Sequence, residues 1–90
     1  MKAQQVNITI SGIAGSGRLS ITYLIKKLLK ENNFEVDFKI NQSMGFRDEN
    51  DFDRKIGINN ENAIKVLPEI TKIVLEDKQL PHQPYNKYEL

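Results

Sequence analysis

The chain has 90 residues, enough for one domain and near the lower limit of what a single hydrophobic core can stabilise. Hydrophobic residues at 39% against charged residues at 28% exclude a disordered composition, and a net charge of +1 argues against a nucleic-acid partner. The absence of cysteine excludes disulfides and thiolate metal sites.

The first residues carry no apolar run of signal-peptide length, and no stretch is long enough to cross a bilayer, so a cytoplasmic protein is expected. Val6-Asn7-Ile8-Thr9-Ile10-Ser11 alternates with a period of two and predicts a strand with one buried face. From Arg18 to Asn32, the residues Ile21, Leu24, Ile25, Leu28 and Leu29 recur at helical spacing, and Asn32-Asn33 suits a helix C-terminus. Lys26, Lys27 and Lys30 fall on the other side of that helix and read as a solvated face. Phe34-Glu35-Val36-Asp37-Phe38-Lys39-Ile40 predicts a second strand, and residues 41–59 a long polar connection. A short helix is expected from Asn60 to Leu67, with Asn60 at its N-cap and Pro68 near its end. Thr71 to Lys78 predicts a third strand, and residues 80–90 a polar C-terminal tail.

Strand, helix, strand, helix, strand implies a single α/β domain over residues 1–90. Parallel strands joined by right-handed crossovers follow from that order. The strands alternate instead of running apolar on both faces. The expected architecture is therefore a small two-layer unit of about three mostly parallel strands, with helices mainly on one face.

Between the first strand and the first helix lies Gly12-Ile13-Ala14-Gly15-Ser16-Gly17-Arg18-Leu19. A glycine-rich turn that opens a helix aims several backbone N–H groups, and the positive end of the helix dipole, into one concavity, which makes an anion site. The glycines have the spacing G-x-x-x-x-G-K-[ST], but Arg18 stands where the lysine belongs and Leu19 where the magnesium-binding hydroxyl belongs.

On these residues, positions 6–31 resemble the first strand, phosphate loop and first helix of P-loop nucleoside-triphosphatases, small nucleotide kinases above all. The chain as a whole resembles short P-loop-like proteins of bacteriophages. The resemblance implies a P-loop-like fold, with a phosphate held by Gly12, Ala14, Gly15, Ser16, Gly17, Arg18, Leu19 and Ser20. It places Arg18 at the outer phosphates, although arginine is no equivalent of lysine there. Leu19 cannot hold magnesium, and Ser20 is turned about 100° away along a helix. Magnesium-dependent transfer relies on that ion, so the chain reads as a binder rather than an enzyme, with no catalytic residue, no metal and no cofactor.

Arg47, Asp51 and Arg54 are the expected secondary ligand contacts, while the acidic run Asp48, Glu49, Asp51 and Asp53 otherwise reads as solvated loop charge. It departs from a calcium-loop pattern. Glu76 and Asp77, where a metal-holding acid stands in the P-loop family, read as the charged end of an ordinary strand. His82 reads as an exposed side chain between Pro81 and Pro84. The expected partners are a nucleotide-like or phosphorylated small molecule and a second copy of the chain in a homo-oligomer, a dimer above all, with Tyr85 and Tyr88 of one tail reaching the other subunit. Neither a membrane nor nucleic acid is expected.

Three functions follow. The first is non-catalytic binding of a phosphate-bearing, nucleotide-like molecule, which the phage resemblance extends to sequestering a nucleotide-derived signal of host defence. The second is a reduced nucleotide kinase or triphosphatase. The third is a protein-interaction module whose glycine turn is purely structural.

Overall fold

A computed structural model describes residues 4–79. Helix α1 (Arg18–Glu31) forms where the sequence places it. Its last turn closes by a Schellman arrangement: Asn33 takes the left-handed conformation (φ 68°), its N–H donates to the Lys30 carbonyl, and the Phe34 N–H donates to the Leu29 carbonyl.

After α1 the chain runs without turn or bend through 34–41 and makes a 3₁₀ turn at Gln42–Met44. It then enters an almost unbroken run of helical turns. Helix α2 (Glu49–Phe52) passes into a π-helical turn (Asp53–Gly57) and a 3₁₀ turn (Ile58–Asn60). Helix α3 (Glu61–Val66) and a 3₁₀ turn (Leu67–Glu69) complete it. The predicted helix from Asn60 to Leu67 thus corresponds to α3, with Asn60 at its N-cap position but making no side-chain cap there.

The expected α/β architecture is not what the chain adopts: among the described residues there is no strand, and the fold is all-helical. A period of two reports which side of a chain is apolar; a sheet needs, in addition, neighbours about 4.8 Å away on the hydrogen-bonding edges. In 35–40 the alternation is real, for Val36, Phe38 and Ile40 are half-buried while Glu35, Asp37 and Lys39 are exposed, but Phe34 is exposed too. The side chain that meets Phe38 comes from a helix, however. Phe52, 2% exposed, has its ring 4.9 Å from that of Phe38 and 5.2 Å from that of Phe46. Segments 6–11 and 71–78 remain unpaired among the described residues, with Val6, Ile8, Val74 and Leu75 exposed.

Residues 41–59, expected as a connection, hold the centre of the fold. The π-helical turn lies against α1, where Gly57 leaves room for the ring of Tyr23: a Cβ on Gly57 would come within 2.1 Å of that ring. Leu67 is the other buried apolar side chain among the described residues. No helix among the described residues is long and apolar enough to cross a membrane. The predicted tail, with His82, Tyr85 and Tyr88, lies outside the described residues.

Candidate functional site

The glycine turn sits at the head of α1 with two left-handed residues, Gly15 (φ 84°) and Gly17 (φ 90°), which an L side chain rarely adopts. Ser16 donates its N–H to the Ile13 carbonyl, closing the turn, and the Ile21 N–H bonds the Gly17 carbonyl, opening the helix. Gly17 is the N-cap and offers no side-chain acceptor. Consequently the N–H groups of Gly17, Arg18, Leu19 and Ser20 meet no acceptor among the described residues. Helix N-termini leave such donors by construction, and a side-chain oxygen, water or an anion must satisfy them.

The residues that carry these donors line an open cavity of about 360 Å³. Ile13, Ala14, Gly15, Gly17, Arg18, Leu19 and Ser20 form one wall, and Met44 and Ile56 close the other. Arg18 forms no ion pair with a carboxylate among the described residues. The α1 side of the cavity is thus lined by residues whose N–H groups have no acceptor, by the cationic Arg18 and by the apolar Leu19. No group of three or more His, Asp or Glu side chains among the described residues is placed to hold a metal.

The glycines divide by what surrounds them. At Gly15 a Cβ would meet nothing within 4 Å, so this position faces open space. At Gly17 it would meet Leu67 Cδ1 at 2.6 Å and Thr71 Oγ1 at 3.0 Å, so its hydrogen is required by packing against the end of the helical run. Thr71 Oγ1 also donates to the Ser16 carbonyl at 2.8 Å, tying that end to the turn. Gly12 makes room for Ser16, whose Oγ lies 2.5 Å from the place of a Gly12 Cβ.

The expected secondary contacts go elsewhere. Asp51, 1% exposed, accepts from the Arg47 N–H at 3.0 Å, from Arg54 Nη2 at 2.6 Å and from Arg47 Nη2 at 3.4 Å, with Lys55 Nζ 3.3 Å away. The Arg47 N–H, followed by Lys55, holds the Asp51 carboxyl down at about 2 against the opposing effect of burial. Arg47, Asp51 and Arg54 form a closed cluster of their own and do not line the cavity at the glycine turn.

The acidic run is likewise no solvated loop. Asp48 is the N-cap of α2, its Oδ1 accepting from the Asp51 N–H at 2.8 Å. The signal was present in the sequence: Asp48, then Asp51 three residues later, with Glu49 in the first turn, is a helix-start pattern. Nor is Lys26 on a solvated face. At 6% exposed, its Nζ donates to Glu49 Oε2 at 2.7 Å and Asp53 Oδ2 at 2.9 Å, and it lies 5.5 Å from the centre of the Phe38 ring. Burial pushes the Lys26 ammonium down, but the hydrogen bonds to Asp53 and Glu49 outweigh it and leave its pKa raised. Bonds from Lys26 and then Lys30 hold Glu49 below the usual carboxylate value. Asp53 Oδ1 is buried and accepts no hydrogen bond, its charge balanced by the ammonium 2.8 Å away. Glu76 and Asp77 are exposed beyond the helical run.

Compared with protein-family models, with curated proteins and with solved structures, the chain matches none.

Proposed function

We propose that the glycine turn binds the phosphate group of a nucleotide-like small molecule without turning it over. The observation that carries this reading is the uncapped start of α1, where four consecutive N–H groups without acceptors adjoin Arg18 and an open cavity. A dianion there meets several donors, a guanidinium fork and the helix dipole at once. Leu19 supports binding without catalysis, since the position that would hold magnesium is apolar. The biological use we attach to it, sequestration of a nucleotide-derived signal of host defence, rests on the resemblance to short bacteriophage proteins.

One observation favours a second reading. Gly12 and Gly17 are explained by Ser16 and by Leu67 with Thr71, so a turn kept for packing inside an interaction module accounts for two of the three glycines. Gly15 and the unsatisfied donors are what it leaves unexplained.

Thermal shift against a panel of nucleotides, with and without magnesium, separates the readings. Stabilisation by phosphorylated ligands regardless of magnesium, absent in Arg18→Ala, is the expected outcome. A magnesium-dependent product identifies a reduced kinase or triphosphatase, and no response to any ligand leaves the packing turn.

A further inference from the structure

Beyond Thr71 the chain leaves the helical body. Thr71 is anchored twice, its hydroxyl on the Ser16 carbonyl and its N–H on the Leu67 carbonyl. Residues 72–79 then run without helix, turn or bend, and their backbone groups make no hydrogen bond among the described residues. Ile73-Val74-Leu75 is the most apolar part of this stretch, yet Val74 is 83% and Leu75 93% exposed. A run of β-favouring apolar residues with free hydrogen-bonding edges is a template for pairing with another chain. The body it leaves is short of buried apolar surface: Phe52 and Leu67 alone among the described apolar side chains are buried. The radius of gyration is 15.6 Å, against about 12 Å for a compact domain of this length.

We propose that residues 71–77 pair antiparallel with the same residues of a second copy of this chain, with the two-fold axis at Val74. Charge selects both the occupant and the register. In a two-fold symmetric antiparallel pair, a residue must sit opposite its own copy, so the centre falls on one residue. Centred on Val74, Lys72 faces the partner's Glu76 and Ile73 faces the partner's Leu75, each pairing occurring twice. Centred on Leu75, Lys72 faces the partner's Lys78 and Ile73 the partner's Asp77, which sets like charges together and buries an apolar side chain against a carboxylate. Centred on Ile73, Lys72 faces the partner's Val74 and no ion pair forms. Opposite charges across a strand pair are favourable and like charges unfavourable.

The backbone fits the same register. When Val74 and its copy form a hydrogen-bonded pair, the N–H groups used are those of Lys72, Val74 and Glu76. The Thr71 N–H, already bonded to Leu67, is not required. Lys72, Val74 and Glu76 then share one face. Ile73 and Leu75 of both copies pool on the other, covering apolar surface that a single copy leaves exposed. This pairing is independent of the anion site.

Sedimentation velocity of the full chain across micromolar concentrations tests it, with circular dichroism to confirm that each variant keeps the parent's helical signal. The parent is expected to pass from 10.4 kDa to twice that mass. Lys72→Glu or Glu76→Lys alone weakens the dimer about tenfold or more by turning both ion pairs into repulsions, and the two together restore it. Val74→Pro, removing the central N–H, leaves a folded monomer. A parent that stays at 10.4 kDa throughout overturns the proposal. So does a dimer indifferent to Val74→Pro, or one that the double exchange fails to restore.

Discussion

The starts of α1 and α2 solve the same electrostatic problem in opposite ways. At α2 the chain supplies its own anions: Asp48 caps the Asp51 N–H, and Asp51 reaches back to the N–H of Arg47. At α1 the N-cap is Gly17, no acidic residue stands in the first turn, and the donors of Gly17 to Ser20 are left open with Arg18 beside them. A helix start closed by its own carboxylates has little to offer an external anion. One that lacks them has donors and dipole to spare. The glycine turn is a candidate site because the chain provides no internal acceptor there.

The largest effects are expected on the closed side. Phe52→Ala removes the ring that Phe38 and Phe46 enclose and should lower stability by about 3–5 kcal/mol, measured by chemical denaturation. If the loss is under about 1 kcal/mol, this ring does not hold the fold. Lys26→Met comes next. Glu49 and Asp53 keep part of their solvent contact, so the loss is set at about 2 kcal/mol, below that for breaking a fully buried pair.

Asp51 makes the same side acid-sensitive. Its folded pKa of about 2 lies below the unfolded value, roughly 3.9. Its contribution is therefore fully present above that value and is lost as pH falls through the folded pKa. Acid titration of the parent should show stability declining below about pH 4, and Asp51→Asn should flatten that decline. An unchanged profile in Asp51→Asn removes Asp51 from the account. Lys26 acts at the other end of the scale. Its raised folded pKa means a contribution present below the ordinary value of 10.5 and lost as pH rises through the folded one.

The smallest changes in stability are the most informative about the comparison. Asp48→Ala should cost about 1 kcal/mol, the usual worth of a cap. Arg18→Glu places at α1 the kind of charge that α2 already has. It should leave stability unchanged or raise it by about 0.3–1 kcal/mol, while abolishing stabilisation by phosphorylated ligands. An Arg18→Glu protein that still binds them as the parent does shows that the two helix starts do not differ in the way described.

How much of this was legible depended on whether a pattern was local. The helix over Arg18–Glu31, its Asn32-Asn33 ending and the helix near 61–66 each follow from residues a few positions apart, and each is present. The sheet did not follow, because alternation in 34–40 says which side is apolar and is silent on whether a strand or Phe52 covers it. The acidic run was misjudged for a similar reason. Glu49 and Asp53 meet Lys26 and Lys30 only where the π-helical turn docks on α1, whereas Arg47, Arg54 and Lys55 stand within four residues of Asp51 and were readable locally. Lys26 lies within five residues of Ile21 and Ile25 in a run that reads as solvated lysine. Only the two carboxylates opposite reveal it as buried. At the candidate site Ala14, Gly15, Gly17, Arg18, Leu19 and Ser20 line one cavity, while Gly12, Ser16, Arg47, Asp51 and Arg54 do not line it.

The most direct test of the open helix start is titration of the parent with ATP and with inorganic phosphate in the absence of magnesium, followed through backbone amide resonances. The account predicts saturable shifts at the N–H groups of Gly15 through Ser20 and none of comparable size at Arg47 through Asp51. Shifts centred on Arg47, Asp51 and Arg54, or no saturable shift at the glycine turn with any phosphorylated ligand, would contradict it.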